Sequence, residues 1–309
     1  MKKLIKLLLL ALCHQGFAMA AESSLTLYFI PSPHGMDWST PASLAKSAAM
    51  NRFSFKSRFI GHVWAEVQCG EQHILTGMIG KKFDYFNQLL VENKGLGILF
   101  HSFEGTLEDK KDIQEEMVEL TKAGRINYAR FILNQKNCQR LVTYAEEYKK
   151  NNIGRHYGLS NRPRYAEGAG CSAFGASFLD VAGILDTEII EQWSKTINIP
   201  LELSGPPVRD EGVSLLKVIL SASSWAMPTD DHKKIFFFDP DSMYNWAQQR
   251  ISSSESLGDY KTEEKYGMKG IVFDRSNRPA PESPIWIQSK DPQYHEALKK
   301  MQLRTNPLK

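Results

Sequence analysis

Apolar and polar positions along this chain switch several times between the alternation of a strand and the three-to-four spacing of a helix. Leu25–Ile30 is a first strand-like run, stopped by Pro31 and Pro33. Thr40-Pro41 offers an N-cap and a first-turn proline for a short helix through Met50. Phe59–Gln68 then alternates, with His62, Trp64 and Glu66 on one face and Val63, Ala65 and Val67 on the other. Cys69-Gly70-Glu71-Gln72 reads as a hairpin turn into a second strand over His73–Met78. Lys81–Phe100, with Gly95 and Gly97, reads as a loop-rich connection.

Helical spacing returns after Thr106-x-x-Asp109, which caps a helix with Ile113, Met117 and Leu120 inward, ended by Gly124. Arg125–Leu133 alternates as a strand. Asn134 or Asn137 then caps a helix carrying Leu141, Tyr144 and Tyr148. A small-residue turn, Ala166–Gly170, opens into a helix in which Phe174, Phe178 and Val181 form one stripe, ending near Gly183. Beyond it the pattern predicts a helix with Ile189, Ile190 and Trp193, then a loop marked by Pro200, Pro206 and Pro207. It continues with a helix at Val213–Ser221, a strand at Ile235–Phe238 and a helix capped in Asp239-Pro240-Asp241. Ser252–Gly258 is a polar linker, Ile271–Phe273 and Pro284–Gln288 read as strands, and His295–Gln302 as a last helix. No internal repeat is visible, and nothing past Pro200 reads as catalytic.

The first twenty residues change the charge argument. Lys2, Lys3 and Lys6, an apolar Leu7–Leu12 run and Ala18-Met19-Ala20 have the form of a cleaved secretory signal peptide. The apolar run is too short to span a bilayer. Without those three lysines, 35 basic residues of the original 38 face 35 acidic ones. The mature chain is formally neutral, so no basic patch argues for nucleic acid or an anionic membrane. The expected location is periplasmic or secreted, with no transmembrane segment. Three cysteines remain there: Cys69, Cys138 and Cys171. In an oxidising compartment the odd number leaves at least one thiol free. A Cys69–Cys138 bridge and three reduced thiols both stay open.

Chemistry enters at Cys171. A thiol in the first turn of a helix faces backbone N–H groups and the positive end of the helix dipole, which favour the thiolate. The same N–H groups can hold the oxyanion of an acyl-transfer intermediate. The stretch equally fits a small buried thiol in a tightly packed Ala/Gly helix. A nucleophilic thiol needs a base, and the base needs something to orient it. Of the histidines left after the leader, His62 sits on the most regular strand; His232 and His295 are the rivals if the base follows the nucleophile in the chain. No histidine pair at i, i+4 and no Cys-x-x-Cys is present, so neither a metal nor another cofactor is expected.

Gly61-His62-Val63-Trp64-Ala65-Glu66-Val67, followed much later by Gly170-Cys171-Ser172-Ala173-Phe174, resembles the circularly permuted NlpC-type papain-like cysteine hydrolases. That grouping includes bacterial permuted thiol peptidase-like proteins and the lecithin retinol acyltransferase relatives. The resemblance covers roughly residues 25–185. It implies an α+β permuted papain-like fold, an antiparallel sheet packed against the nucleophile helix, with Cys171 as nucleophile and His62 as base. It also implies a polar orienting residue on the strand after the hairpin, where His73 and Thr76 are the candidates, of opposite parity. Tyr157 stands upstream of the nucleophile where such enzymes line the oxyanion site, and Ser172 and Trp64 complete the expected substrate-facing set. Two departures stand out: Gly170 occupies a position where relatives often carry Asp or Asn, and the tail past Pro200 has no counterpart.

The expected organisation is a signal peptide over 1–20, a catalytic domain over 21–200 and a C-terminal elaboration over 201–309 packed on or beside it. The expected function is an exported thiol hydrolase cleaving an amide or ester through an acyl-enzyme, on a cell-wall peptide first and a lipid or acyl-protein second. The competing expectation is a non-catalytic exported binding module that keeps the fold. An open groove lined by Trp64 and Tyr157 would favour the enzyme; a sheltered Cys171 would favour the module.

Overall fold

The computed structural model describes residues 22–54, 60–81, 92–253 and 259–288. The signal-peptide segment, the last predicted helix and most of the polar linker at 252–258 lie outside them. The centre is a mixed but mostly antiparallel sheet. Its axis is β1 (Ser24–Ile30), buried at all seven positions because both its faces and both its edges are covered. On one side β1 pairs antiparallel with β2 (His62–Cys69), which turns through Gly70 into β3 (Gln72–Gly80). Two short strands follow outward, β4 (Phe103–Leu107) and β6 (His156–Tyr157). On the other side stands β5 (Asn127–Ile132), then β10 (Met268–Asp274) and β9 (Tyr260–Lys265). Among the described strands of this sheet only the β5–β10 pair is parallel, and residues beyond 200 complete one edge.

Helices cover both faces. We number them α1 (Pro41–Ser54), α2 (Lys110–Lys122), α3 (Gln135–Lys150), α4 (Cys171–Val181), α5 (Thr187–Trp193), α6 (Leu215–Ile219) and α7 (Pro240–Ser252). Asn134 starts α3 by accepting the Asn137 N–H at 2.9 Å. Apolar side chains from α3, α4 and α7 meet Leu25, Leu27, Phe29, Val63, Ala65 and Val67 in the main core. The opposite face packs Tyr28, Ile30, Trp64 and Leu75 against Ile113 of α2. A second, smaller core forms beside the sheet, where β7 (Ser194–Pro200) and β8 (His232–Phe238) pair antiparallel and pack with α1 and α6. Close contact between α4 and β2 requires Gly175, whose missing Cβ would lie 2.6 Å from Val63 Cγ1.

Three sequence expectations are corrected. Residues 194–200, expected as a loop, pair with β8, the proline closing the strand rather than excluding it. Thr106 lies within β4, and α2 begins behind Asp109 instead. Pro284–Gln288 forms no strand. The carbonyls of Ser283, Pro284 and Ile285 accept from the Arg140 and Arg164 guanidinium groups rather than from a neighbouring strand.

Candidate active site

Cys171 is the first residue of α4, and the first main-chain bond of that helix runs from Phe174 N–H to the Gly170 carbonyl at 2.9 Å. The N–H groups of Cys171, Ser172 and Ala173 therefore have no partner within the helix. The residue is only 3% exposed, and its Sγ lies 3.8 Å from the Gly61 carbonyl. His62 opens β2 one residue further on, at the end of the strand against which α4 packs. Its ring hydrogen-bonds the Cys171 sulfur, as do the Tyr157 hydroxyl and the Val63 N–H. Burial on its own raises the thiol pKa, but the charge and hydrogen bond of His62, with Tyr157 and Val63, outweigh it. The net effect holds Cys171 below the ordinary thiol range, so the thiolate is favoured.

His62 Nε2–H donates to Glu108 Oε2 at 2.6 Å, with both side chains almost fully buried. That leaves Nδ1 as the ring nitrogen for the sulfur. Trp64 Nε1–H donates to the same Glu108 oxygen at 3.1 Å. A carboxylate fixed from two directions thus fixes the imidazole in turn, the relation a thiol–imidazole pair needs from its third member. Glu108 comes from the turn between β4 and α2, where its N–H donates to the Gly77 carbonyl at 2.9 Å. Gly77 faces Trp64 across the β2–β3 ladder. A Cβ there would lie 2.3 Å from Glu108 Oε2 and 2.6 Å from Trp64 Cδ1, so the absence of a side chain makes the room for the carboxylate.

Neither orienting candidate named from the sequence fills this role. His73 shares the His62 face but sits at the far end of the ladder, paired with Glu66 at 2.6 Å and Lys110 at 2.8 Å. Thr76 pairs with Ala65 and lies on the opposite face. Trp64 does not line a groove: it is fully buried and supports Glu108. The Ser172 hydroxyl donates to the Phe238 carbonyl at 2.5 Å, leaving only its main chain for a substrate. Tyr157 does reach the sulfur. His232 bonds the Asp230 carbonyl at the start of β8, and His295 lies outside the described residues. Parity counted from the hairpin would have put glycine, not a polar residue, beside Trp64, and that gap was the available signal for Glu108.

A pocket of about 210 Å³ opens against Gly170, Cys171 and Tyr157. Its walls come from α1, the 3-10 turn at Leu96–Phe100, α6 and the end of β8. Asp239 lies in the wall, where burial and the Asp241 charge push its carboxyl up against the opposing pull of Ser242 and Lys195. Cys69 and Cys138 are far from this chemistry. They lie thiol against thiol between β2 and α3, both reduced, and burial followed by the Cys69 contact pushes Cys138 up to about 12.

The arrangement is a buried thiol, imidazole and carboxylate in series, with Cys171 in the lining of a pocket. No family model, no curated protein and no solved structure matches the chain. Among the described residues, no helix is long and apolar enough to cross a membrane.

Proposed function

We propose that this protein is an exported cysteine hydrolase of permuted papain-like architecture, cleaving an amide or ester bond through an acyl-enzyme. The observation that carries the reading is the series Cys171–His62–Glu108, with base and orienter preceding the nucleophile in the chain. In this reading the Cys171 thiolate attacks the carbonyl carbon. The α4 N–H groups and the Tyr157 hydroxyl stabilise the oxyanion. His62 gives its proton to the leaving group and then accepts one from the water that releases the acyl group, while Glu108 holds the ring. A second reading, a binding module without turnover, is favoured by the sheltered position of Cys171.

Iodoacetamide alkylation of Cys171 followed against pH separates them. The hydrolase reading expects the alkylation limb well below the ordinary thiol value of about 8.5. In His62→Ala the limb should move up, because burial is then opposed only by the Tyr157 hydroxyl and the Val63 N–H. A thiol that titrates normally and ignores His62 would overturn the hydrolase and leave the binding module.

A further inference from the structure

The start of β2 carries more of the site than His62 alone. Gly61 presents its carbonyl to Cys171 Sγ at 3.8 Å, His62 its ring and Val63 its N–H, so three consecutive residues meet the sulfur. Pairing with β1 does not fix all three. The ladder ends at the Ile30–His62 pair, and Gly61 stands just outside it. Gly61 is held instead through its N–H, which donates to Ser32 Oγ at 2.8 Å. Ser32 donates its own N–H to Asp241 Oδ1 at 2.6 Å, and the other oxygen of that carboxylate accepts the Met36 N–H at 2.8 Å. Ser32 and Asp241 are both buried. A polar link thus runs through the interior from the first turn of α7 to the residue before the base.

The same stretch of chain grips the other side of the dyad. Asp239, Pro240 and Asp241 follow directly on β8, whose last residue, Phe238, accepts the Ser172 hydroxyl at 2.5 Å. Ser172 follows the nucleophile as Gly61 precedes the base. Pro240 also closes on Gly61: a Cβ on that glycine would lie 2.8 Å from Pro240 Cβ, nearer than side-chain carbons come. The four residues from Phe238 to Asp241 therefore meet the chain neighbours of both the thiol and the imidazole. They belong to the part of the chain in which no residue reads as catalytic from the sequence.

We infer that the β8–α7 junction is part of the active-site frame, with Asp241 and Ser32 as positioning residues that set Gly61, and through it His62, against Cys171. This rests on the hydrolase reading above. The bond from Gly61 N–H to Ser32 Oγ is the decisive one. Removing that hydroxyl releases the strand start while leaving the sulfur, the imidazole and the Glu108 carboxylate chemically intact. Asp241 acts one bond further back, by fixing the Ser32 main chain. A hydrogen bond weakens steeply as its angle opens, so a small turn of the strand end loosens the hold of the imidazole on the thiolate. Burial of the sulfur then goes less opposed, because His62 and the Val63 N–H move together.

The test follows iodoacetamide alkylation of Cys171 against pH in Ser32→Ala, with folding checked by denaturant midpoint. Loss of one hydrogen bond from the link should lower the neutral alkylation rate about threefold to tenfold and move the limb to higher pH. Asp241→Ala, or Asp241→Asn if the first fails to fold, should do the same alone. It should add nothing to the rate loss of Ser32→Ala, since both act through one link. Asn127→Ala is the control: Asn127 Nδ2–H donates to the Tyr244 carbonyl at 3.1 Å and so ties α7 to β5 rather than to β2. That variant should lower the denaturant midpoint and leave the limb in place. Folded Ser32→Ala with the limb and rate of a native protein that itself titrates low would overturn the inference and spare the hydrolase. An equal shift of the limb in Asn127→Ala would also overturn it, by showing that any loosening of α7 suffices. A native limb at the ordinary thiol value of about 8.5 would sink the hydrolase reading, and the inference with it.

Discussion

Gly77→Ala is the sharpest single perturbation of the site, because it touches neither Cys171 nor His62. The new Cβ would stand 2.3 Å from Glu108 Oε2, where side-chain carbons essentially never come within 3.0 Å of another heavy atom. The carboxylate must therefore retreat by roughly 0.7 Å, and Trp64, 2.6 Å from the same Cβ, gives it little room to slide sideways. Such a move spoils the 2.6 Å bond to His62. A hydrogen bond to a charged group contributes about 1.5–3 kcal/mol, which corresponds to a loss of roughly tenfold to 150-fold in the rate it supports. The readout is the second-order alkylation rate of Cys171 at neutral pH, with folding checked by denaturant midpoint. Glu108→Ala should lose at least as much, and the double variant should lose no more than Glu108→Ala alone, since both act through one carboxylate. If folded Gly77→Ala alkylates at the native rate, or if the two losses add, the proposed chain of orientation from Gly77 through Glu108 to His62 is wrong.

Tyr157→Phe removes a hydroxyl that lowers the Cys171 pKa, so the alkylation limb should move to higher pH and neutral reactivity should fall about twofold to tenfold. An unmoved limb would take Tyr157 out of the site. Asp241 accepts the main-chain N–H of Ser32 at 2.6 Å and of Met36 at 2.8 Å, tying the segment after β1 to the start of α7. Asp241→Ala leaves two inward donors unpaired and should cost on the order of 3 kcal/mol in urea unfolding; a change below about 0.5 kcal/mol would show the segment re-satisfied by water. The adjoining Cys69 and Cys138 should be linked by oxidised glutathione during refolding, with intact mass falling by one hydrogen pair, while the folded protein resists because the Cys138 thiol is held protonated. Rapid linkage in the folded state would contradict that burial.

Much of this architecture is legible in the residues. The β2–β3 hairpin, the helix opening at Cys171 and the strand at β8 stand where period and turn chemistry place them, because each is strongly patterned over a local stretch. β9 was invisible for the opposite reason. Tyr-Lys-Thr-Glu-Glu-Lys has no apolar face and is held as an edge by its neighbour β10. β4 and β6 are too short to show a period, and Pro200 disguised β7. The thiol and imidazole were recognisable because each sits on its own regular element. Glu108 was not, since it comes from a turn 46 residues away and its signature on β3 is a missing side chain. The pocket depends on α1 and α6 meeting across the second core, a long-range contact that no local pattern records.

Glu108 arriving from outside the β2–β3 hairpin has one more consequence. A thiolate is a hazard to a chain still folding, prone to oxidation or mispairing with Cys69 and Cys138. Here the hairpin brings only His62, α4 must dock to bring the sulfur, and the β4–α2 turn must close over Gly77 to bring the carboxylate. The groups that lower the Cys171 thiol pKa, His62, Tyr157 and Val63, reach the sulfur from other elements, so reactivity at Cys171 would double as a report that α4 has docked on the sheet.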